Sequence, residues 1–288
     1  MQGFVFNLRK PLFQDKRVRK AISYALDFDW SNRKLFYNQY DRCYSYFSNS
    51  ELASSGIPEG DELELLQPYR DQLDEDLFTK EWHPPSTKAP SSLRSNLRYA
   101  RKLLTDAGWV LKQGKLLNSK GEALKFDVML AQKGFERILA PFARNLNKLG
   151  IEVDYRTVDT ALYKSRLDNF EFDMVVASYS QSQSPGNEQI NMFHSTSADK
   201  EGTRNLMGIK DPVVDAMINK VVYAKNRKQL VTAVHALDRV LLHGYYLIPQ
   251  WYIGHHRVAY WDKFGKPEKL PLYYDAESWM LQTWWEKE

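Results

Sequence analysis

A chain of 288 residues with a 43% apolar fraction can bury a real core, and it is long enough for one large domain or two ordinary ones. Forty basic residues against 36 acidic ones leave a net charge of +4, too small and too dispersed to announce a nucleic-acid or membrane partner. The single cysteine, Cys43, excludes an internal disulfide or a cysteine-built metal cluster, no apolar run of about 18 residues is there to span a bilayer, and MQGFVFNLRK lacks the apolar core and cleavage site of a signal peptide.

Taken in chain order, Phe4, Val5 and Phe6 read as a strand, followed by an exit through Asn7 to Pro11. Asp15 is a candidate N-cap for a helix whose Val18, Ile22, Ala25, Leu26 and Trp30 recur near helical spacing, with Arg17, Arg19 and Lys20 expected to face solvent. From about Tyr37 to Pro90 the periodicity fades into Ser, Pro, Gly and acidic residues. That stretch reads as an irregular excursion wrapped on the surface, with a short helix around Glu62 to Gln67. Ser91 or Ser92 can cap the next helix, whose Leu93, Leu97, Ala100, Leu103, Leu104 and Ala107 form a buried stripe closed by Gly108.

Phe126, Val128 and Leu130 alternate as a strand, and Phe135 to Leu149 carries apolar residues on one helical face before Gly150. Ile151, Val153 and Tyr155 make a second strand, Thr160 to Asp168 a short helix, and Phe172 to Ala177 a third strand. This β-α-β-α-β alternation predicts an α/β fold with a mostly parallel sheet flanked by helices. Ligands of such sheets bind beyond the carboxyl ends of the strands. At that end lies SYSQSQSPGNEQ, rich in hydroxyl and carboxamide groups and almost uncharged, which makes it the candidate binding edge. Asp168, Glu171 and Asp173 cluster at the entrance of the third strand, the wrong end for chemistry, and are read as solvated. Glu188 lies in the binding loop, where it can meet a cationic ligand group or remain locally paired.

Past the loop, Asp211 and Pro212 open a helix carrying Val214, Met217, Ile218, Val221 and Val222. Asn226 opens another, with Leu230, Val234, Leu237, Val240 and Leu241. From Ile248 onward the chain turns to short aromatic stretches and prolines, ending in SWMLQTWWEKE. The histidines, His83, His194, His235, His243, His255 and His256, show no metal-ligand spacing. No nucleophile elbow, phosphate loop or dinucleotide fingerprint is present. The reading is therefore of a non-enzyme without metal or cofactor.

Several of these segments, in this order, resemble the family 5 extracellular solute-binding proteins: FVFNLRKPLFQDKRVRKAISYALD from Phe4, ARKLLTDAGW from Ala100, GIEVDYRTVD from Gly150, FDMVVAS from Phe172 and DPVVDAMI from Asp211. HALDRVLLHGYYLIPQWY from His235, together with SQSPGNEQ, is most similar to the YejA-type peptide binders that serve ABC importers. The resemblance implies a periplasmic-binding-protein-like fold of type II. Residues 1–8 would be a hinge strand from a first lobe, 9–247 the second, ligand-binding lobe, and 248–288 a return to the first. It implies further that most of the first lobe precedes this segment, with Met1 an internal methionine or the start of a truncated reading frame. The returning pieces would then lack their partner sheet, leaving edges prone to association.

The implied function is binding of short peptides or peptide-like solutes in an interlobe cleft in the periplasm, and delivery to the membrane permease of an ABC importer, with no nucleic acid and no membrane insertion. A lobe acting only as a partner-binding or nonfunctional fragment, or a peptide-processing enzyme using the same cleft, are the alternatives. Candidate ligand contacts are Ser178, Tyr179, Gln181, Ser182, Gln183, Asn187 and Glu188, with Trp251 and Tyr252 near the crossover. In many oligopeptide binders of the family an aspartate in this loop, shortly before a proline, holds the free amino terminus. Here Gln181 stands before Pro185, so an ion pair to an α-ammonium group is not supplied there.

Overall fold

The computed structural model describes residues 1–271 and 276–287, so part of the 248–288 segment, Leu272 to Asp275 and Glu288, lies outside the described residues. The chain opens with β1 (Gln2–Phe6), then α1 (Lys16–Ser23) and α2 (Phe28–Leu35). The single helix expected through Trp30 is thus two. Asp15 accepts from Arg17 N to start the first, and Asp27 accepts from Trp30 N to start the second, so a second N-cap resets the axis. A two-residue strand β2 (Asp41–Arg42) follows, then α3 (Gly60–Leu66) and α4 (Glu75–Thr79). Next come α5 (Leu93–Asp106) and the hairpin β3 (Val110–Lys112) and β4 (Lys115–Leu117), turned by Gln113 and Gly114, both at positive φ.

The expected alternation follows as β5 (Lys125–Leu130), α6 (Glu136–Asn147), β6 (Glu152–Thr157), α7 (Thr160–Asp168) and β7 (Met174–Ser178). Gly150, at φ +88°, ends the turn after α6 where an L side chain would be strained. The chain continues through α8 (Glu188–Phe193), α9 (Pro212–Val222) and α10 (Arg227–Gly244) to β8 (Leu247–Pro249) and β9 (Trp251–Tyr252). Asp211 caps α9 by accepting from Val213 N and Val214 N, and Asn226 caps α10 by accepting from Gln229 N.

Among the described residues the main sheet has five strands in the order β6-β5-β7-β1-β8, with β5 parallel to both β6 and β7 and β1 antiparallel to β7 and β8. Of the segments expected to lack a partner sheet, β1 and β8 have one: Phe4 pairs with Val176 on one side and Ile248 on the other. Gly3 permits this approach, since a Cβ there would lie 2.7 Å from Leu247 Cδ1 and 2.9 Å from Ile248 O.

Period-two alternation sorts side chains onto two faces. Phe4, Phe6, Phe126, Val128, Leu130, Met174 and Ile248 pack with Ile22 of α1, Leu104 of α5 and Phe142 of α6. Val5, Met129, Val175 and Leu247 pack on the opposite side with residues of α9 and α10. The result is a three-layer arrangement, helices on both faces of the sheet.

The stretch after β2 is not a surface wrapping. Tyr46, Phe47, Leu52, Leu66 and Leu77 are buried in the second of these cores. Two consecutive residues of α10 pin it there. Asp238 accepts from Tyr46 N at 2.8 Å and from Ser54 Oγ at 2.7 Å, while Arg239 donates to Glu62, to Gly56 O at 2.7 Å and to Ser55 O at 2.6 Å. Asp173, read as solvated, instead accepts from Asp127 N at 3.0 Å and faces Lys10 at 3.3 Å, tying β7 to β5.

Residues Ile253–Glu288 form a separate compact unit. It contains β10 (Phe264–Gly265), α11 (Ala276–Thr283) and β11 (Trp285–Glu286), with β10 and β11 antiparallel and Trp284 in edge contact with Tyr260 and Trp279. Trp261 in this unit is 80% exposed.

Candidate functional site at the carboxyl edge of the sheet

The chain leaves β5 toward β6 and leaves β7 toward β8, on the other side, so the connections diverge at the carboxyl ends of two adjacent parallel strands. Such a divergence opens a crevice outside the sheet. The amino end of β1 comes to the same edge, because Gln2 is paired with Ser178, and Gln250 N donates to Gln2 O at 2.9 Å.

A set of carboxamides gathers there. Gln2 donates its side-chain amide to Gln250 Oε1, and Ser178 Oγ lies 3.4 Å from Gln2 Oε1. Gln189 donates to Gln181 Oε1 at 2.7 Å. Both Gln189 and Gln250 are fully buried, yet Gln189 Oε1 and Gln250 Nε2 have no hydrogen-bond partner among the described residues. Buried polar atoms left without a partner in this way are uncommon in finished cores.

Ser178, Ser182, Gln183, Asn187 and Glu188 are exposed along this edge. Ser182 Oγ accepts from Ser184 N at 3.2 Å, and Gln183 O accepts from Arg227, which also grips Glu51 and so anchors the loop to the start of α10. Glu188 is locally paired, accepting from Gly186 N at 2.9 Å. Tyr179 departs from its neighbours. It is 1% exposed, its ring lies 5.3 Å from Phe193 and 6.4 Å from Tyr46, and burial pushes its unpartnered hydroxyl well above the usual tyrosine range. In this structure its ring is core rather than a contact surface, because strand alternation turns it inward after the exposed Ser178.

Trp251 and Tyr252 of β9 pair with Arg42 and Asp41 of β2. Trp251 sits in an aromatic cluster, 4.9 Å from Phe36, 6.0 Å from Phe28 and 6.5 Å from Phe135. Arg42 lies 5.2 Å over the Phe28 ring and Arg137 6.0 Å over Phe36. Tyr252 is half-buried, and that burial, with Asp41 nearby, raises its phenol. Reading the sequence alone passes over Gln2, Gln189, Gln250 and Arg42. The signal for two of them was present, since Gln2 stands just before the apolar strand run FVF and Gln250 interrupts LIPQWY.

Among the described residues no three His, Cys, Asp or Glu side chains gather as a metal site requires, and no helix is long and apolar enough to cross a membrane.

Comparison with known proteins bears on this edge. The profile of the bacterial extracellular solute-binding proteins, family 5 Middle, matches residues 1–201. A probable peptide-binding protein YejA of Agrobacterium fabrum is 44% identical over 274 residues, 95% of this chain and 45% of that protein. The YejA protein of Escherichia coli K12 is 38% identical over 283 residues, 97% of this chain and 46% of its own length. Among solved structures, the oligopeptide-binding protein AppA of Bacillus subtilis, in complex with a nonapeptide, superposes with a TM-score of 0.68 at 21% identity, covering all of this chain and 50% of that one. The chain thus spans about half the length of these relatives.

Proposed function

The chain belongs to the bacterial extracellular solute-binding proteins of family 5, and on that premise we propose that it is the lobe of a periplasmic receptor that receives short peptides or peptide-like solutes and presents them to the permease of an ABC importer. The observation that carries this reading is the edge itself. Neutral carboxamides and hydroxyls, exposed at Ser178, Ser182, Gln183 and Asn187 and half-exposed at Gln181, suit a peptide backbone and discriminate little between its side chains. The peptide-binding name of the Agrobacterium relative supports it.

In this reading residues 9–247 form the ligand-holding lobe, and residues 1–8 and 248 onward are the links to a facing lobe. The adjacent antiparallel strands β1 and β8 suit a chain that enters and leaves side by side. Ligand bridging two such lobes favours their closed arrangement, and the permease reads that arrangement. No bond in the solute is broken.

Thermal unfolding of this chain, beside a longer version that includes the upstream half, tests the reading with a mixed short-peptide library. A native-state ligand at a hundredfold excess over Kd adds about 2.7 kcal/mol. A shift in the longer version supports a two-lobe peptide receptor, whereas no shift in either removes short peptides as the ligand class.

Gln181 gives a second test. Gln181→Asp shortens the side chain by one methylene and adds a charge, so free-amine tripeptides should bind about tenfold more tightly while N-acetylated ones do not gain. Equal calorimetric affinity of both peptides for both proteins would remove Gln181 from an amine subsite.

A further inference from the structure

Cations without an acid partner gather at the pole opposite the carboxamide edge. Arg94, Arg98 and Arg101 stand at i, i+4 and i+7 on α5 and so share one face of that helix. Arg144 and Lys148 come from the end of α6, which stops just ahead of β6 and therefore lies at the amino ends of the parallel strands. Arg101 donates to Lys148 O at 2.9 Å, which joins the two helices.

A groove of about 580 Å³ runs between them. Four of its seven lining residues are Arg94, Arg98, Arg101 and Lys148, and the other three are leucines. An adjoining hollow of about 270 Å³ shares Leu93 and Lys148 and adds Arg144. The one acid in that hollow, Asp27, is already engaged, accepting from Trp30 N at 2.9 Å and from Thr87 Oγ1 at 2.6 Å.

This arrangement departs from the other helices. Lys80, Lys164 and, on α5 itself, Lys102 each pair with an aspartate one turn away. Arg94, Arg98, Arg101, Arg144 and Lys148 form no ion pair among the described residues, although like charges one turn apart on a helix repel. A net charge of +4 over the whole chain conceals this local concentration.

We propose that the groove docks on anionic phospholipid, its arginines paired with headgroup phosphates and its leucines set against the first apolar carbons below them, so that the chain lies on a membrane surface without entering it. An arginine fork takes two oxygens of one phosphate. The guanidinium groups of Arg94, Arg98 and Arg144 make no hydrogen bond among the described residues, and the cations come from two helices. One acidic protein segment would need carboxylates in register with all of them, whereas a headgroup layer supplies phosphates at any register. The groove lies away from Gln2, Ser178 and Gln250, so occupation of one surface leaves the other open, and the test needs no peptide.

The full chain is co-sedimented with vesicles of phosphatidylglycerol and phosphatidylcholine, and with vesicles of phosphatidylcholine alone. The anionic vesicles should pellet it and the neutral ones should not, and about 0.5 M salt should release it. Arg94→Gln with Arg98→Gln should weaken partitioning about 30-fold, roughly fivefold per charge. Lys200→Gln with Lys225→Gln removes the same charge from exposed positions outside the groove and should cost less than about threefold. No pelleting by anionic vesicles, or equal losses in the two double variants, overturns the proposal.

A second measurement needs no variant of the groove to fold. Dihexanoyl phosphatidylglycerol below its micelle concentration should move the Leu93 and Leu97 methyl resonances of the wild-type chain saturably, and inorganic phosphate at the same concentration should not. Equal movement by inorganic phosphate makes the groove a site for free phosphate and overturns the lipid assignment. Displacement of the chain from vesicles by polyglutamate, at a carboxylate concentration below that of the lipid phosphate, assigns the groove to an acidic protein and overturns it likewise.

Discussion

Replacing Arg19 by methionine should destabilise the fold by about 3 kcal/mol, one of the two largest effects expected of this chain. Arg19 is 4% exposed and donates to Phe13 O at 2.6 Å, Gln14 O at 2.9 Å, Gly244 O at 2.6 Å and Tyr245 O at 3.1 Å. Two of these carbonyls end α10, where the helix leaves its last acceptors unmatched and a cation is favoured. The guanidinium also lies 5.5 Å over the Tyr246 ring, and Tyr246 in turn donates to Asp211, the cap of α9. One side chain therefore joins α1, the end of α10 and the approach to β8. Methionine fills most of the volume and satisfies none of the carbonyls. The thermal midpoint should fall by about 6–12 °C, and Arg19→Lys, with one compact donor head, should recover only part of it. A midpoint within about 2 °C of the wild type would show that water replaces the guanidinium at little cost.

Acidification should remove a comparable amount through His243. The imidazole is 7% exposed in the last turn of α10, and its Nε2 has no partner among the described residues. Burial drives its pKa from the ordinary 6.5 down to about 4, with Lys16 and Lys20 pushing the same way and Asp74 and Asp76 opposing. The unfolded chain takes up this proton near 6.5 and the folded chain only near 4, so between these values the unfolded state binds more protons. Stability from this group is complete above pH 6.5 and is lost as the pH falls toward 4, about 3 kcal/mol across the window. Carboxylates titrate in the lower part of the same range, so the informative quantity is the difference between wild type and His243→Gln. That difference should shrink steadily from pH 7 to pH 4.5. If it stays constant, the histidine is not held neutral in the fold.

Those two residues also mark where reading the sequence falls short. Arg19 lies between Arg17 and Lys20 in a basic stretch, and helical periodicity alone places such a residue outside. It is buried because the end of α10, more than 200 positions away, passes over that face of α1 and presents bare carbonyls. The excursion after Tyr37 reads as surface because its apolar residues, Tyr46, Phe47 and Leu52, have no period. They are core because Asp238 and Arg239 hold that irregular backbone with hydrogen bonds no propensity encodes. Tyr179 was a plausible contact by its place in a polar loop, and strand alternation turned it inward. The loop itself, with Gln181, Ser182, Gln183 and Asn187, was legible because an apolar strand running into uncharged hydroxyls and amides is a local pattern.

What the sequence by itself determined is therefore the series of elements: the strands at Phe126, Val153 and Met174, the helices between them, the capping residues Asp15, Ser92, Asp211 and Asn226, and the glycine stops at Gly108 and Gly150. Period and cap chemistry act over a few residues, so they survive in a one-dimensional reading. Only the tertiary structure decided that β1 lies between β7 and β8, that Gln2, Ser178 and Gln250 share an edge, and that Arg42 pairs with Trp251 across β2 and β9. Those placements join residues far apart in the chain, and they are settled by which faces must be buried together once the sheet closes its core.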